Sequence, residues 1–315
     1  MSVTLIAAVV ALVLGHLAPS LAVAVRRYGW YGDWIGWLNG RFTEGSFWRG
    51  QWGIALALVP PLLVVGLFQR AIDAQLLGLV EMLFGIAVLF YAWGPRDLDR
   101  DVAAVLDAPD PSARRQAAAR LSPESNPLLD GGNLVDTVFR SALRRWFGVL
   151  FWFLLLGPFG AVLYRLAQLS VDGLPAGEAA GGDSVRPPTA AVRGARTLLA
   201  VLEWPVAQLV TLALALVGNF DSVLGAWRAS GGASMRLDNR FLCAAARASV
   251  RNELAEEAAE RAAQSDDAVG ESGIGASTYG RQDLPELRDA MSLAWRCLLV
   301  WLAALALFVI AGFVS

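Results

Sequence analysis

Residues 147–169 read Phe-Gly-Val-Leu-Phe-Trp-Phe-Leu-Leu-Leu-Gly-Pro-Phe-Gly-Ala-Val-Leu-Tyr-Arg-Leu-Ala-Gln-Leu. The run has the length of a bilayer crossing, about 20 apolar residues. Gly157-Pro158 interrupt it near the middle, and Arg165 lies near its end. Proline removes a backbone donor and breaks helix geometry. Such breaks occur at membrane depth where backbone lines a cavity or packs on protein. Residues 197–219 are a second such run, carrying Glu203 and Pro205. Both segments are open to two readings: bent full spans, or re-entrant hairpins that enter and leave on one side.

Outward from these runs, four cleaner apolar stretches predict full spans at 3–24, 53–69, 76–93 and 292–313. The 315-residue chain is 56% hydrophobic and only 17% charged, whereas a soluble domain is about 45–50% apolar and about 25% charged. The expected fold is therefore all-α and polytopic, with four full spans, two Pro-broken segments and helical cytoplasmic loops. The first stretch is expected to be a retained helix rather than a secretory signal, because Met-Ser-Val-Thr precedes it without a positive charge and Arg26-Arg27 follow it. Arginine placement fits the positive-inside rule. If all six segments span, loops 25–52, 95–146 and 218–291 hold 20 Arg inside against four outside. If the broken pair is re-entrant, 23 Arg lie inside against Arg70 alone. Both schemes put the two termini outside.

The loops divide the chain further. Residues 1–94 hold the first three spans and a Trp-rich stretch at 28–38. There Trp30, Trp34 and Trp37 recur at i, i+4 and i+7, which predicts a short helix lying in the headgroup layer. Residues 95–146 form a cytoplasmic loop in which Asp110-Pro111 reads as an N-cap followed by Pro at the first helical position. A helix over about 111–121 follows, and another runs from Leu134 into Trp146. Residues 147–219 hold the two broken segments, joined by a Gly/Ala/Pro-rich connector at 170–196. Residues 220–291 hold a polar helix over about 240–264, with Glu257 and Arg261 as an i, i+4 pair, and a linker at 265–281 of disordered composition. Residues 292–315 are the last span.

Composition excludes many chemistries. All 26 basic residues are Arg, so no lysine nucleophile, Schiff base or P-loop lysine exists. His16 is the sole histidine, and Cys243 and Cys297 match no metal spacing. No metal site or cofactor is called for, and Asp97, Asp99 and Asp101 alternate without converging on one helix face. A net charge of −2 gives no nucleic-acid signal. No Gly-x-Ser-x-Gly elbow or nucleophile–base pair is present.

Ionisable residues inside apolar segments are functional candidates by default. Arg165 and Glu203 are expected to pair across the two broken segments, either as a functional pair or as structural glue. Glu81 lies five residues into its span and His16 in the middle of the first. Arg140 and Arg144, with Arg145, precede the membrane entry at Trp146. At i, i+4 they share a helical face, as a ligand-binding or anionic-lipid-contacting pair.

Residues 147–165 resemble a signature of the CobD/CbiB cobalamin-biosynthesis membrane proteins and of AmpE. Residues 200–205, Ala-Val-Leu-Glu-Trp-Pro, and the run from Ala290 through Trp301 are similar to AmpE. The resemblance implies an inner-membrane protein tied to peptidoglycan recycling and β-lactamase induction. It departs from CobD/CbiB where that branch carries acids. The matching positions here are Asp136, Arg140 and Arg144, so the charge is inverted. Arginine-lined sites favour carboxylate or phosphate anions. The expected function is thus non-enzymatic regulation. Its ligand would be an anionic small molecule or lipid bound at a cytoplasm-facing cavity by Arg140, Arg144 and Arg165, with Glu203 orienting Arg165. The rivals are a diverged CobD-like enzyme condensing a phosphorylated substrate, with Asp136 and Glu203 as its catalytic acids, and a small transporter. A homodimer is compatible with all three, although no span carries a convincing Gly-x-x-x-Gly motif.

Overall fold

The computed structural model describes residues 6–7, 10–11, 25–26, 28–42, 50, 52–73, 78–93, 98–121, 131–173, 190–267 and 284–311. His16, most of the 3–24 span, the connector at 174–189 and the linker at 268–281 lie outside the described residues. Every described element is helical. In chain order they are α1 (Gly29–Arg41), α2 (Gly53–Asp73), α3 (Gly78–Ala92), α4 (Leu98–Leu106), α5 (Pro111–Leu121) and α6 (Gly131–Ala142). A π-helical turn, Leu143–Phe147, leads into α7 (Gly148–Leu156), followed by α8 (Pro158–Gly173) and α9 (Ala190–Val217). The remainder is α10 (Phe220–Ala229), α11 (Arg240–Asp267) and α12 (Pro285–Ile310).

Three of these helices are long and apolar enough to cross a membrane: Gly53–Ile72, Ala190–Val217 and Pro285–Leu307. The described part of the 76–93 span is a 15-residue apolar helix. At 1.5 Å per residue that is about 22 Å, short of a core of about 30 Å.

The chain divides into two compact units. The first comprises Met1–Asp97, Leu143–Val206 and Ala303–Ser315. Its core is seeded by α1, whose Tyr31, Ile35 and Leu38 are buried at i, i+4, i+7. They pack with Ile54, Leu58 and Leu62 of α2, Leu166 of α8 and Val192 and Ala195 of α9. Full burial of such a side chain contributes about 1.5–3 kcal/mol. Trp30 and Trp37 stay largely exposed on the opposite side, and Trp34 stacks on Trp37 at 5.3 Å. One helix therefore buries Tyr31, Ile35 and Leu38 on one side and leaves Trp30 and Trp37 exposed on another.

The run quoted at the outset folds back on itself. Gly157 breaks it with φ +66° and ψ −152°, a conformation essentially confined to glycine. Pro158 then starts α8, as suits the first helical position, and the Gln69 side chain of α2 accepts the Phe159 N–H at 3.1 Å. Gly148 on α7 lies directly against the Tyr164 ring on α8, where a Cβ would collide with it. Residues 16 apart in sequence touch only if α7 and α8 form an antiparallel hairpin. Its arms, 9 and 16 residues, are each shorter than a crossing.

The expected break at 197–219 is not there. α9 runs unbroken from Ala190 to Val217 with Pro205 inside it. Proline leaves a carbonyl one turn earlier without its donor, and in apolar surroundings neighbouring side chains can supply one. The carbonyl so orphaned is that of Val201; on the residue beside it, Leu202 O accepts the indole N–H of Trp152 of α7 at 3.1 Å, which ties α7 to α9 next to the proline.

The second unit comprises Leu98–Ala142 and Ala207–Leu302. α10 and α6 both pack against α11, and α4 packs against α5. The Asp110 carboxylate caps α5 by accepting from Ser112 N at 2.9 Å and Ala113 N at 2.7 Å. Gln208 holds the turn after α10, accepting from Trp227 Nε1 and donating to Gly232 O, both at 2.9 Å. The Asp97–Asp101 stretch resolves from Leu98 into the first turn of α4. There Asp99 accepts from Trp295 Nε1 at 2.7 Å and Asp101 is buried.

Candidate functional site

The open end of the α7–α8 hairpin gathers most of the buried polar side chains of the first unit. Arg144 lies in the π-helical turn that leads into the hairpin. Such one-turn π insertions recur at functional sites. Its Nε donates to Glu203 Oε1 of α9 at 2.8 Å. The Glu203 side chain is 7% exposed and that of Arg144 is 36% exposed. A deeply set carboxylate thus holds a guanidinium that still reaches solvent.

Gln168 of α8 ties this pair to Arg165. Its Nε2 donates to the Arg144 carbonyl at 2.8 Å, and its Oε1 accepts from Arg165 Nη1 at 2.6 Å. Arg165 is 6% exposed, and its Nε donates to Ala92 O, the last carbonyl of α3, at 2.9 Å.

Two more side chains treat the end of α3 alike. Arg26 Nε donates to Phe90 O at 2.9 Å, and the Tyr28 hydroxyl donates to Tyr91 O at 2.5 Å. The last carbonyls of any helix lack intrahelical donors, and cations are favoured beside that negative dipole end. Here two guanidiniums and a phenol cover three successive carbonyls. The Tyr28 ring lies below the Arg165 guanidinium at 5.5 Å, and the Phe90 ring below that of Arg26 at 4.8 Å. Burial lifts the Tyr28 hydroxyl pKa above its ordinary value, and the charge of Arg165 opposes that shift.

The arginines and acids singled out from sequence divide between the units. Arg144, Arg165 and Glu203 come together in the first, linked through Gln168. Arg140 and Asp136 sit one helical turn apart on α6 in the second. Arg140 Nε lies 3.3 Å from the buried Cys243 Sγ of α11, and Asp136 Oδ1 lies 3.0 Å from Arg247 Nε. Burial raises both the Asp136 carboxyl and the Cys243 thiol above their ordinary pKa, while the neighbouring arginines pull both back. Glu81 is exposed in the first turn of α3.

Sequence reading missed Gln168, Arg26 and Tyr28. Arg26 counted only as topological charge, and Gln168 is a neutral residue in an apolar run. The available signal was its i, i+3 spacing from Arg165, which puts both side chains on one face of α8.

A family model described as regulatory signalling modulator protein AmpE matches residues 41–265. The chain is also similar to the cobalamin biosynthesis protein CobD of Chromobacterium violaceum, at 33% identity over 127 residues. That match covers 38% of this chain and 39% of the relative. No solved structure matches the chain.

Proposed function

The chain belongs to the AmpE family, and from that premise we propose that it is a regulatory membrane protein whose signalling state is set by an anion at Arg144. The Arg144–Glu203 pair carries this reading. Glu203 is a buried carboxylate bound to Arg144, whose side chain is 36% exposed. A carboxylate or phosphate group arriving there would compete with Glu203, since Arg presents several donors in one plane. Exchange would loosen the tie between the π-turn and α9. Gln168, which holds the Arg144 carbonyl and Arg165 together, would keep the hairpin end assembled while this happens. Arg165 is a positioning residue in this scheme, because its own bonds go to the end of α3 and to Gln168.

In the cell the protein would sit in the bacterial inner membrane, with the α7–α8 hairpin re-entrant from the cytoplasm. The anion would be a small molecule or a lipid headgroup linked to wall recycling, and the output would be altered β-lactamase induction. A CobD-like condensing enzyme is the less favoured reading. Asp136 and Glu203, the acids it would use, are both engaged by guanidiniums. Arg144→Ala should weaken β-lactamase induction while membrane abundance stays at the wild-type level, read by a reporter assay beside an immunoblot. Full induction in that variant would refute the site.

A further inference from the structure

The second unit contains a cavity of about 540 Å³ that the site above does not use. Small residues make its volume: Gly131 and Gly132 open α6, Ala226 and Ala229 come from α10, and Ala244 from α11. Arg247 and Arg251 line one wall from successive turns of α11, and Glu286 of α12 faces in from another side. Like charges at i, i+4 destabilise a helix slightly, and an anion near either arginine offsets that. Arg247 has one in Asp136, at 3.0 Å. The hydrogen bond that Arg251 makes among the described residues is from its Nε to the Arg247 carbonyl, at 3.2 Å. Glu286 lies so close over Gly131 that a Cβ there would meet its carboxyl carbon at 2.8 Å. The acid thus covers the first turn of α6, which a carboxylate stabilises.

We propose that this cavity binds a soluble small organic anion, a carboxylate or phosphate ester with a compact apolar portion, through Arg251 and Arg247, in competition with Glu286. The volume suits a small ligand, and Val135, Val250 and Leu254 supply apolar contact. A soluble ligand fits better than a lipid, because the lining comes mainly from α6, α10 and α11, none of them long and apolar enough to cross a membrane, with Glu286 at the start of α12 contributed by a helix that is. The proposal is independent of the Arg144–Glu203 reading.

The test is calorimetric titration of the full chain, in phosphatidylcholine nanodiscs, with phenyl phosphate and separately with inorganic phosphate. Phenyl phosphate should bind more tightly than inorganic phosphate. Arg251→Ala should weaken it roughly tenfold or more, the scale of one charge-assisted hydrogen bond. Glu286→Gln should tighten it, because the competing charge is gone. Arg144→Ala removes only what binds at Arg144, and the phenyl phosphate isotherm that Arg251→Ala weakens should remain in it, which separates this site from the other. Arg251 is exposed, so its variant retains the fold, as a matching circular dichroism melt would verify. Equal affinity in wild type and Arg251→Ala, or weaker binding in Glu286→Gln, would overturn the proposal.

Discussion

Glu203 and Arg144 make an asymmetric pair, since the carboxylate is buried and the guanidinium only partly so. Removing one member of such a pair costs more than the pair is worth, because the other is left desolvated. Glu203→Gln should therefore lower unfolding stability by about 1–3 kcal/mol. A cycle with Arg144→Gln should show coupling of about 0.5–3 kcal/mol, measured by denaturant unfolding in mild detergent. Additive losses would mean that the pair does not interact. Cys243 offers a second test. It is buried, and burial holds its thiol pKa up, so N-ethylmaleimide at pH 7 should label it far more slowly in the folded chain than after denaturation. At this scale much of the site was legible. Arg165 and Glu203 stood out because charges in apolar runs are rare, and Arg144 because it precedes the membrane entry at Trp146 on one helical face with Arg140. The choice of partner was not legible. Glu203 holds Arg144, and Arg165 instead covers the end of α3, because a helix ending at Ala92 needs donors that no local pattern announces.

Gly157 and Asp110 show how single residues set element ends. Gly157→Ala would place a Cβ at a positive-φ position, 3.0 Å from Gln69 Nε2. Backbone strain of that kind costs on the order of 1–3 kcal/mol, so the variant should melt at a lower temperature than wild type, and an unchanged melting temperature would argue against the hairpin turn. Asp110 has its carboxyl held below the ordinary value, first by the Ser112 hydroxyl and then by the Ala113 and Ser112 amides. A lowered folded-state pKa contributes stability that is present above the unfolded value and is lost as pH falls through the folded one. Mild acid should therefore fray α5, seen as lost amide-exchange protection, and Asp110→Ala should show the same fraying at neutral pH. Both ends were readable from Asp110-Pro111 and Gly157-Pro158, since these dipeptides carry their geometry with them. Pro205 misled for a physical reason. A single proline removes one backbone hydrogen bond and strains one turn, and the burial of Leu199, Leu202 and Val206 around it holds α9 straight through that loss.

For the whole molecule, apolar length gave the helical membrane class but not the count of crossings. The run at 147–169 has the residues of one span and the shape of a hairpin, because Gly148 lets Tyr164 close against α7. If that hairpin is re-entrant, a cysteine placed at Leu155, near its tip, should resist membrane-impermeant thiol reagents from either side. Ready labelling from the periplasm would make it a crossing. The central claim is that an anion at Arg144 sets the protein's state, and native mass spectrometry of the chain released gently from its own membrane tests it most directly. The account predicts that an anionic species accompanies the wild-type protein and is lost in Arg144→Ala. A bare wild-type chain, or an Arg144→Ala chain that keeps every species the wild type carries, would contradict it.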